Sequence, residues 1–197
     1  MPMIPNFLLS FLDQVLPLHS LQSGFTSQLL AIARVVKYRK AEFWLAHAPP
    51  SEELGIVLRG TLMQFRYDNN QQRVMQLWNK SDYLIDGSIL MPKPHAEERI
   101  IFLENSELIL LPIAKIRQLE ASYPAASQLV ATLVNQRIAQ LQEQLFSQRF
   151  QSPKMRLAFV LQHHKRAFYL LTSQQKASYI GISKQSLYTI LQDCANH

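Results

Sequence analysis

The side chains with the most chemistry to offer gather in the last quarter of the chain. Residues 150–197 hold six basic residues (Lys154, Arg156, Lys165, Arg166, Lys176 and Lys184) against Asp193 alone, a balance of +5. Residues 1–149 hold 14 against 13, a balance of +1. Positive charge concentrated in this way suits either a polyanionic partner or a plain solvated helical surface that is basic. Inside the basic region, Ser183-Lys184-Gln185-Ser186-Leu187-Tyr188-Thr189 gathers hydrogen-bonding groups at close spacing. A glutamine such as Gln185 can pair with adenine through two bonds, and a lysine such as Lys184 can reach guanine or a phosphate. The candidate DNA contacts are therefore Lys176, Ser183, Lys184, Gln185, Tyr188 and Thr189. Lys165 and Arg166, with Lys154 and Arg156, are the candidate phosphate contacts.

Other chemistries find little support. No nucleophile–base pairing, metal motif or glycine-rich phosphate loop stands out, so neither an enzyme nor a bound cofactor is expected. Asp86 with Glu97 and Glu98 comes nearest to an acid pair, and carboxylates flanking a turn are far more often plain surface. His95, His163 and His164 lack the spacing of metal ligands. The single cysteine, Cys194, can form neither an internal disulfide nor an iron–sulfur cluster by itself.

These side chains need elements to position them. Thr172 followed by Gln175 has the form of a capping box that starts a helix. Gly181 can take the left-handed conformation that ends it, and Ser183 can cap a second helix. Ala177 falls where two crossing helices touch, and Leu187, Ile190 and Leu191 fall on the inner side of the second. Alanine, glycine four residues on and an apolar residue six further is the helix-turn-helix spacing. Upstream, Ser152-Pro153 reads as a helix start. Before that, the chain has neither Gly nor Pro between Pro124 and Pro153. There Val130, Val134, Ile138, Leu141 and Leu145 form one stripe about 80° wide at 100° per residue, flanked by glutamines. Such a stripe packs on a second copy of the chain or on its own domain; the dimer is preferred, as a parallel pairing along residues 124–149.

Residues 41–112 change period. Short β-rich runs (43–46, 54–59, 62–67, 74–78, 99–103 and 108–111) alternate with turn clusters such as Ala48-Pro49-Pro50-Ser51 and Asp68-Asn69-Asn70-Gln71. Six short strands at such spacing predict an antiparallel sandwich or barrel. Pro112 leads a short helix through Leu119. Residues 17–37, with Leu21, Phe25, Leu29, Ile32, Ala33 and Val36 at helical spacing, predict a helix. The apolar start Pro5–Leu12, preceded by no basic residue and followed by Asp13, reads as a packing helix rather than a signal peptide. With 48% hydrophobic and 17% charged residues and no long apolar run, the chain is expected to be a folded cytoplasmic protein with no membrane partner.

The order of elements, together with Lys40-Ala41-Glu42-Phe43-Trp44-Leu45, Ile56-Val57-Leu58-Arg59-Gly60-Thr61-Leu62 and Gly181-Ile182-Ser183-Lys184-Gln185-Ser186-Leu187, resembles the cyclic-AMP receptor protein/fumarate–nitrate regulator (Crp/Fnr) superfamily. The family elements are Lys-Gly-Glu, strand-Gly-strand and Gly-x-Ser-Arg-Glu-Thr-Val. The resemblance covers nearly the whole chain. It implies an α+β fold: an N-terminal antiparallel β-roll (a cyclic-nucleotide-binding-like jelly roll), a long dimerisation helix and a C-terminal helix-turn-helix. The corresponding units are 1–122, 123–150 and 151–197. The chain is expected to lack the β-wing that normally follows. The function implied is that of a homodimeric regulator of transcription that binds double-stranded DNA.

The sensor departs from the family pattern. Members that bind cyclic nucleotides carry Phe-Gly-Glu, whose acid holds the ribose, and Arg-Ala, whose arginine holds the phosphate. Here Leu84-Ile85-Asp86-Gly87 and Pro94-His95-Ala96-Glu97-Glu98 stand instead. Asp86, His95 and Arg99 mark the effector pocket that the resemblance implies. A phosphate beside two carboxylates and without a bidentate arginine is poorly held, so no response to cyclic AMP is expected. A less anionic small-molecule effector is the remaining option, with Trp44, Phe65 or Trp78 as candidate lining or as plain core. At the DNA-reading end Lys176 replaces an apolar residue, and Thr189 stands where the founding member has a base-reading arginine. The alternative reading is a ligand-binding sensor whose degenerate helix-turn-helix mediates protein interaction.

Overall fold

The apolar start folds as α1 (Met3–Val15), with Leu8, Phe11, Leu12 and Val15 buried. Next comes α2 (Ser23–Ile32), whose Phe25 and Leu29 share the same core. The single helix expected over 17–37 is not what forms. Arg34–Tyr38 is β1, paired antiparallel with the last strand of the roll, Arg34 opposite Leu110 and Tyr38 opposite Ser106. Ile32, Ala33 and Val36 imitate a helical face, but Val35, Val36 and Tyr38 are strand formers and cross-strand pairing overrides the periodicity.

The roll continues with β2 (Phe43–Trp44), β3 (Glu53–Arg59), β4 (Leu62–Asp68), β5 (Gln71–Trp78), β6 (Tyr83–Ile85), β7 (Arg99–Phe102) and β8 (Ser106–Pro112). Two four-stranded antiparallel sheets result, ordered β1-β8-β3-β6 and β2-β7-β4-β5. Each run expected to be a strand contains one. The three-residue β6 has too little sequence to signal itself and is held by pairing with Leu54–Ile56. Asn69 and Asn70 both take positive φ, 49° and 61°, as the tight hairpin between β4 and β5 requires. Gly60 turns at φ 106°, and a Cβ there would collide with the Ser106 side chain. Leu62, Trp78, Leu84, Phe102 and Leu108 fill the space between the sheets.

Short α3 (Ile113–Leu119) leads into α4 (Pro124–Phe150), 27 residues long and so about 40 Å at about 1.5 Å per residue. Its first half packs Ala125, Ala126, Leu129 and Leu133 onto the core made by α1, α2 and β3. The chain ends in α5 (Pro153–His163), α6 (Lys165–Leu170), α7 (Ser173–Ile180) and α8 (Lys184–Ala195). This computed structural model describes residues 3–16, 23–44, 53–85 and 98–195. The architecture is α+β: a β-roll, a long helix and a small helical unit. No helix among the described residues is long and apolar enough to cross a membrane.

Candidate nucleic-acid interface

The turn that presents the basic region is built as its residues require. Thr172 Oγ1 accepts from Gln175 N at 3.3 Å and Gln175 Oε1 accepts from Thr172 N at 2.9 Å, closing the capping box of α7. Gly181 ends that helix at φ 76°, with its N–H bonded to the Ala177 and Ser178 carbonyls. Ser183 Oγ accepts from Ser186 N at 3.0 Å and starts α8. Ala177 is 1% exposed, so α7 and α8 meet without a side chain between them. Leu187 and Ile190 seal the contact against Leu157, Val160, Phe168 and Ile180. Leu191, expected on the inner side, is instead 36% exposed, because the apolar face is narrow and leaves it at the edge.

With that face buried, Ser183, Lys184, Gln185, Tyr188 and Thr189 stand exposed on one side of α8. Lys184 Nζ lies 5.9 Å from the Tyr188 ring centroid, and Thr189 Oγ1 donates to the Gln185 carbonyl at 3.3 Å. The Gln185 amide points to no partner among the described residues and is free to pair with a base edge.

The expected phosphate contacts divide. Lys165 is exposed. Lys154 pairs with Asp193 across the unit, Nζ to Oδ2 at 3.1 Å. Lys176 is half-buried, with Nζ 5.5 Å from the Phe168 ring centroid and 5.9 Å from that of Tyr169, so part of its charge is directed at aromatic faces. Arg156 has a structural task that the sequence did not reveal. Its guanidinium donates to the carbonyls of Ile180 at 2.8 Å, Gln151 at 2.9 Å and Gln148 at 3.3 Å, tying the end of α4 to α7.

Arg166 also has another partner. Its Nε and Nη2 grip both oxygens of Glu104 on the β-roll, and Thr61 donates to the same carboxylate at 2.8 Å. The guanidinium beside it holds the Glu104 carboxyl below the usual carboxylate range. This pair belongs to a wider seam between the roll and the helical unit. Ser178 Oγ accepts from Val74 N at 3.0 Å, Gln175 donates to Gln72 at 2.7 Å, and His164 Nδ1 meets Asn79 Nδ2 at 2.8 Å. Ala167 and Leu171 are buried against Met63, Phe65, Val74 and Leu77. Phe65 and Trp44 are thus core residues.

On α4 the expected stripe is centred roughly 120° round the helix from the packing face at about 100° per residue, with only Val130 at its upper end still touching the core. Val130 and Val134 are half-buried, whereas Ile138, Leu141 and Leu145 are 44%, 45% and 51% exposed. Of the expected effector pocket, Arg99 is exposed at the start of β7 opposite Phe65. Asp86 and His95 lie outside the described residues.

A β-roll, a long helix and a capped helix-turn-helix thus follow one another in one chain. Among solved structures it is similar to FixK2 from Bradyrhizobium japonicum, with a TM-score of 0.68 at 12% identity over 84% of this chain and 85% of that one. A protein from Eubacterium rectale assigned to the Crp/Fnr family of transcriptional regulators matches at TM-score 0.65 and 14% identity, over 91% and 86% of the two chains. The c-di-GMP-responsive global regulator CLP of Xanthomonas campestris matches at 0.63 and 13%, over 89% and 92%. No protein-family model and no curated protein matches the sequence. The fold is that of the Crp/Fnr regulators.

Proposed function

We propose that the chain is a cytoplasmic, homodimeric regulator of transcription that binds double-stranded DNA through α8 and does not respond to cyclic AMP. It works as three units: a sensor (1–122), a dimer helix (123–150) and a DNA-binding unit (151–197). The observation that carries this reading is the two-faced character of α8. Leu187 and Ile190 are buried against α5 and α7, while Ser183, Lys184, Gln185, Tyr188 and Thr189 face outward from a helix start fixed by the Ser183 cap. A helix entering the major groove needs that arrangement, with its N-terminal residues at the base edges.

The exposed stripe on α4 supports dimerisation, since pairing would cover Ile138, Leu141 and Leu145 and set two α8 helices on a two-fold axis. Ile85 in place of glycine, and His95 with Glu97 and Glu98 in place of a phosphate-holding arginine, speak against a cyclic nucleotide. The direct test is selection from a pool of random duplexes by the full chain, followed by sequencing. The reading predicts a recurring inverted repeat with half-site centres about one helical turn, roughly 10 base pairs, apart. Recovery of duplexes without any shared motif would overturn it in favour of a protein-interaction domain.

A further inference from the structure

Below Leu133 the inward face of α4 changes character. Instead of further apolar residues it presents Gln136, Gln140, Glu143 and Ser147, and in front of them lies a cavity of about 520 Å³. Its other walls come from every unit of the chain: Phe11 of α1, Trp78 and Tyr83 of the β-roll, and His164 and Tyr179 of the helical unit. Gln136 and Ser147 are half-buried there, while Gln140 and Glu143 are exposed at the open side of the cavity. The amides of Gln136 and Gln140 have no partner among the described residues and can turn to a ligand. Nη1 of the adjacent Arg137 is buried and also lacks one.

The lining specifies what would fit. The volume is that of a small-molecule site, about 300–1,000 Å³. Trp78, Tyr83 and Tyr179 contribute aromatic surface suited to a flat molecule, while the glutamine amides offer donors and acceptors. The nearby charges balance: the Arg137 guanidinium, close to Tyr83 and Tyr179, is set against the carboxyl groups of Asp82 and Glu143, which leaves no net positive charge for an anion. The Arg156 guanidinium is already held by three backbone carbonyls. Burial, aided by neighbouring His163, holds the His164 imidazole in its neutral form, and Asp82 and Glu143 contribute carboxyl groups. We propose that this cavity is a binding site for an uncharged, planar small molecule with amide-type edges. A ligand there would touch the sensor, α4 and the DNA-binding unit at once, and would therefore bias how they sit together. That regulatory consequence rests on the DNA-binding reading; the site itself does not.

The test is calorimetry on the full chain with two uncharged probes, nicotinamide and adenosine, each against its anionic counterpart, nicotinate and adenosine monophosphate. At least one uncharged probe is expected to bind with a Kd below about 1 mM, about tenfold or more tighter than its counterpart. Gln140→Trp and Ser147→Phe, each filling the cavity and each checked for native circular dichroism, should weaken that binding by about tenfold or more. The proposal is overturned if neither uncharged probe binds, if the anions bind equally well, or if affinity is unchanged in a folded variant. Duplex binding by the unliganded wild type is measured in parallel. Loss of DNA binding with probe binding intact would overturn the functional reading alone, whereas the reverse would overturn the site alone.

Discussion

At the scale of single residues, Ala41 shows how the chain departs from its relatives in fold. It stands where the resembling element has glycine, and it keeps the backbone that glycine would take, at φ 68°, with its N–H bonded to the Phe102 carbonyl at 2.8 Å. A left-handed conformation costs an L-residue about 1–2 kcal/mol, and glycine loses about 0.4–1 kcal/mol more chain entropy on folding. The first effect is the larger, so Ala41→Gly should stabilise the fold by roughly 0.5–1 kcal/mol. Urea denaturation would read this as a higher midpoint with an unchanged slope; a lower midpoint would show that the turn is not strained.

His164 is the second informative residue. Burial first, and His163 second, lower its pKa from the usual 6.5, and its ring contacts Asn79 and Tyr179. The unfolded chain takes up this proton near the ordinary value while the folded chain resists it. Stability is therefore full above that value and falls as the pH drops toward the lowered folded pKa. His164→Gln does not titrate, so its stability should fall less than that of the wild type between about pH 7 and pH 5. Thermal melts at both pH values provide the comparison, and parallel losses would mean that another group carries the acid sensitivity.

At the scale of elements, legibility followed the range of the interactions. The capping box, the left-handed Gly181 and the Ser183 cap of α7 and α8 all lie within a few residues of their partners, and each was readable from spacing. β1 was not readable, because its state depends on β8, more than sixty residues away, and its own spacing imitates a helix. For the same reason the sequence concealed that Arg166 grips Glu104 and that Arg156 joins α4 to α7. α4 was readable as a helix, but its division into a packing face and an exposed stripe required the structure. Ile138→Glu with Leu141→Glu leaves the buried Leu129 and Leu133 untouched, so folding should persist while self-association is lost. Light scattering should report the monomer mass; an undiminished dimer would move the interface off this stripe.

At the scale of the whole molecule, the helical unit is seated on the β-roll through the seam of Glu104–Arg166, Val74–Ser178 and Asn79–His164, while α8 is left outward. The central claim is that this outward face reads sequence, and a salt titration of duplex binding tests it most directly. Wild type and Gln185→Ala are compared on a duplex recovered by selection and on its scrambled counterpart. Wild-type affinity should fall steeply with salt on both, as phosphate neutralisation requires. Gln185→Ala should lose about 1–3 kcal/mol on the selected duplex and close to nothing on the scrambled one. Equal losses on the two duplexes, or binding that ignores salt, would contradict the account.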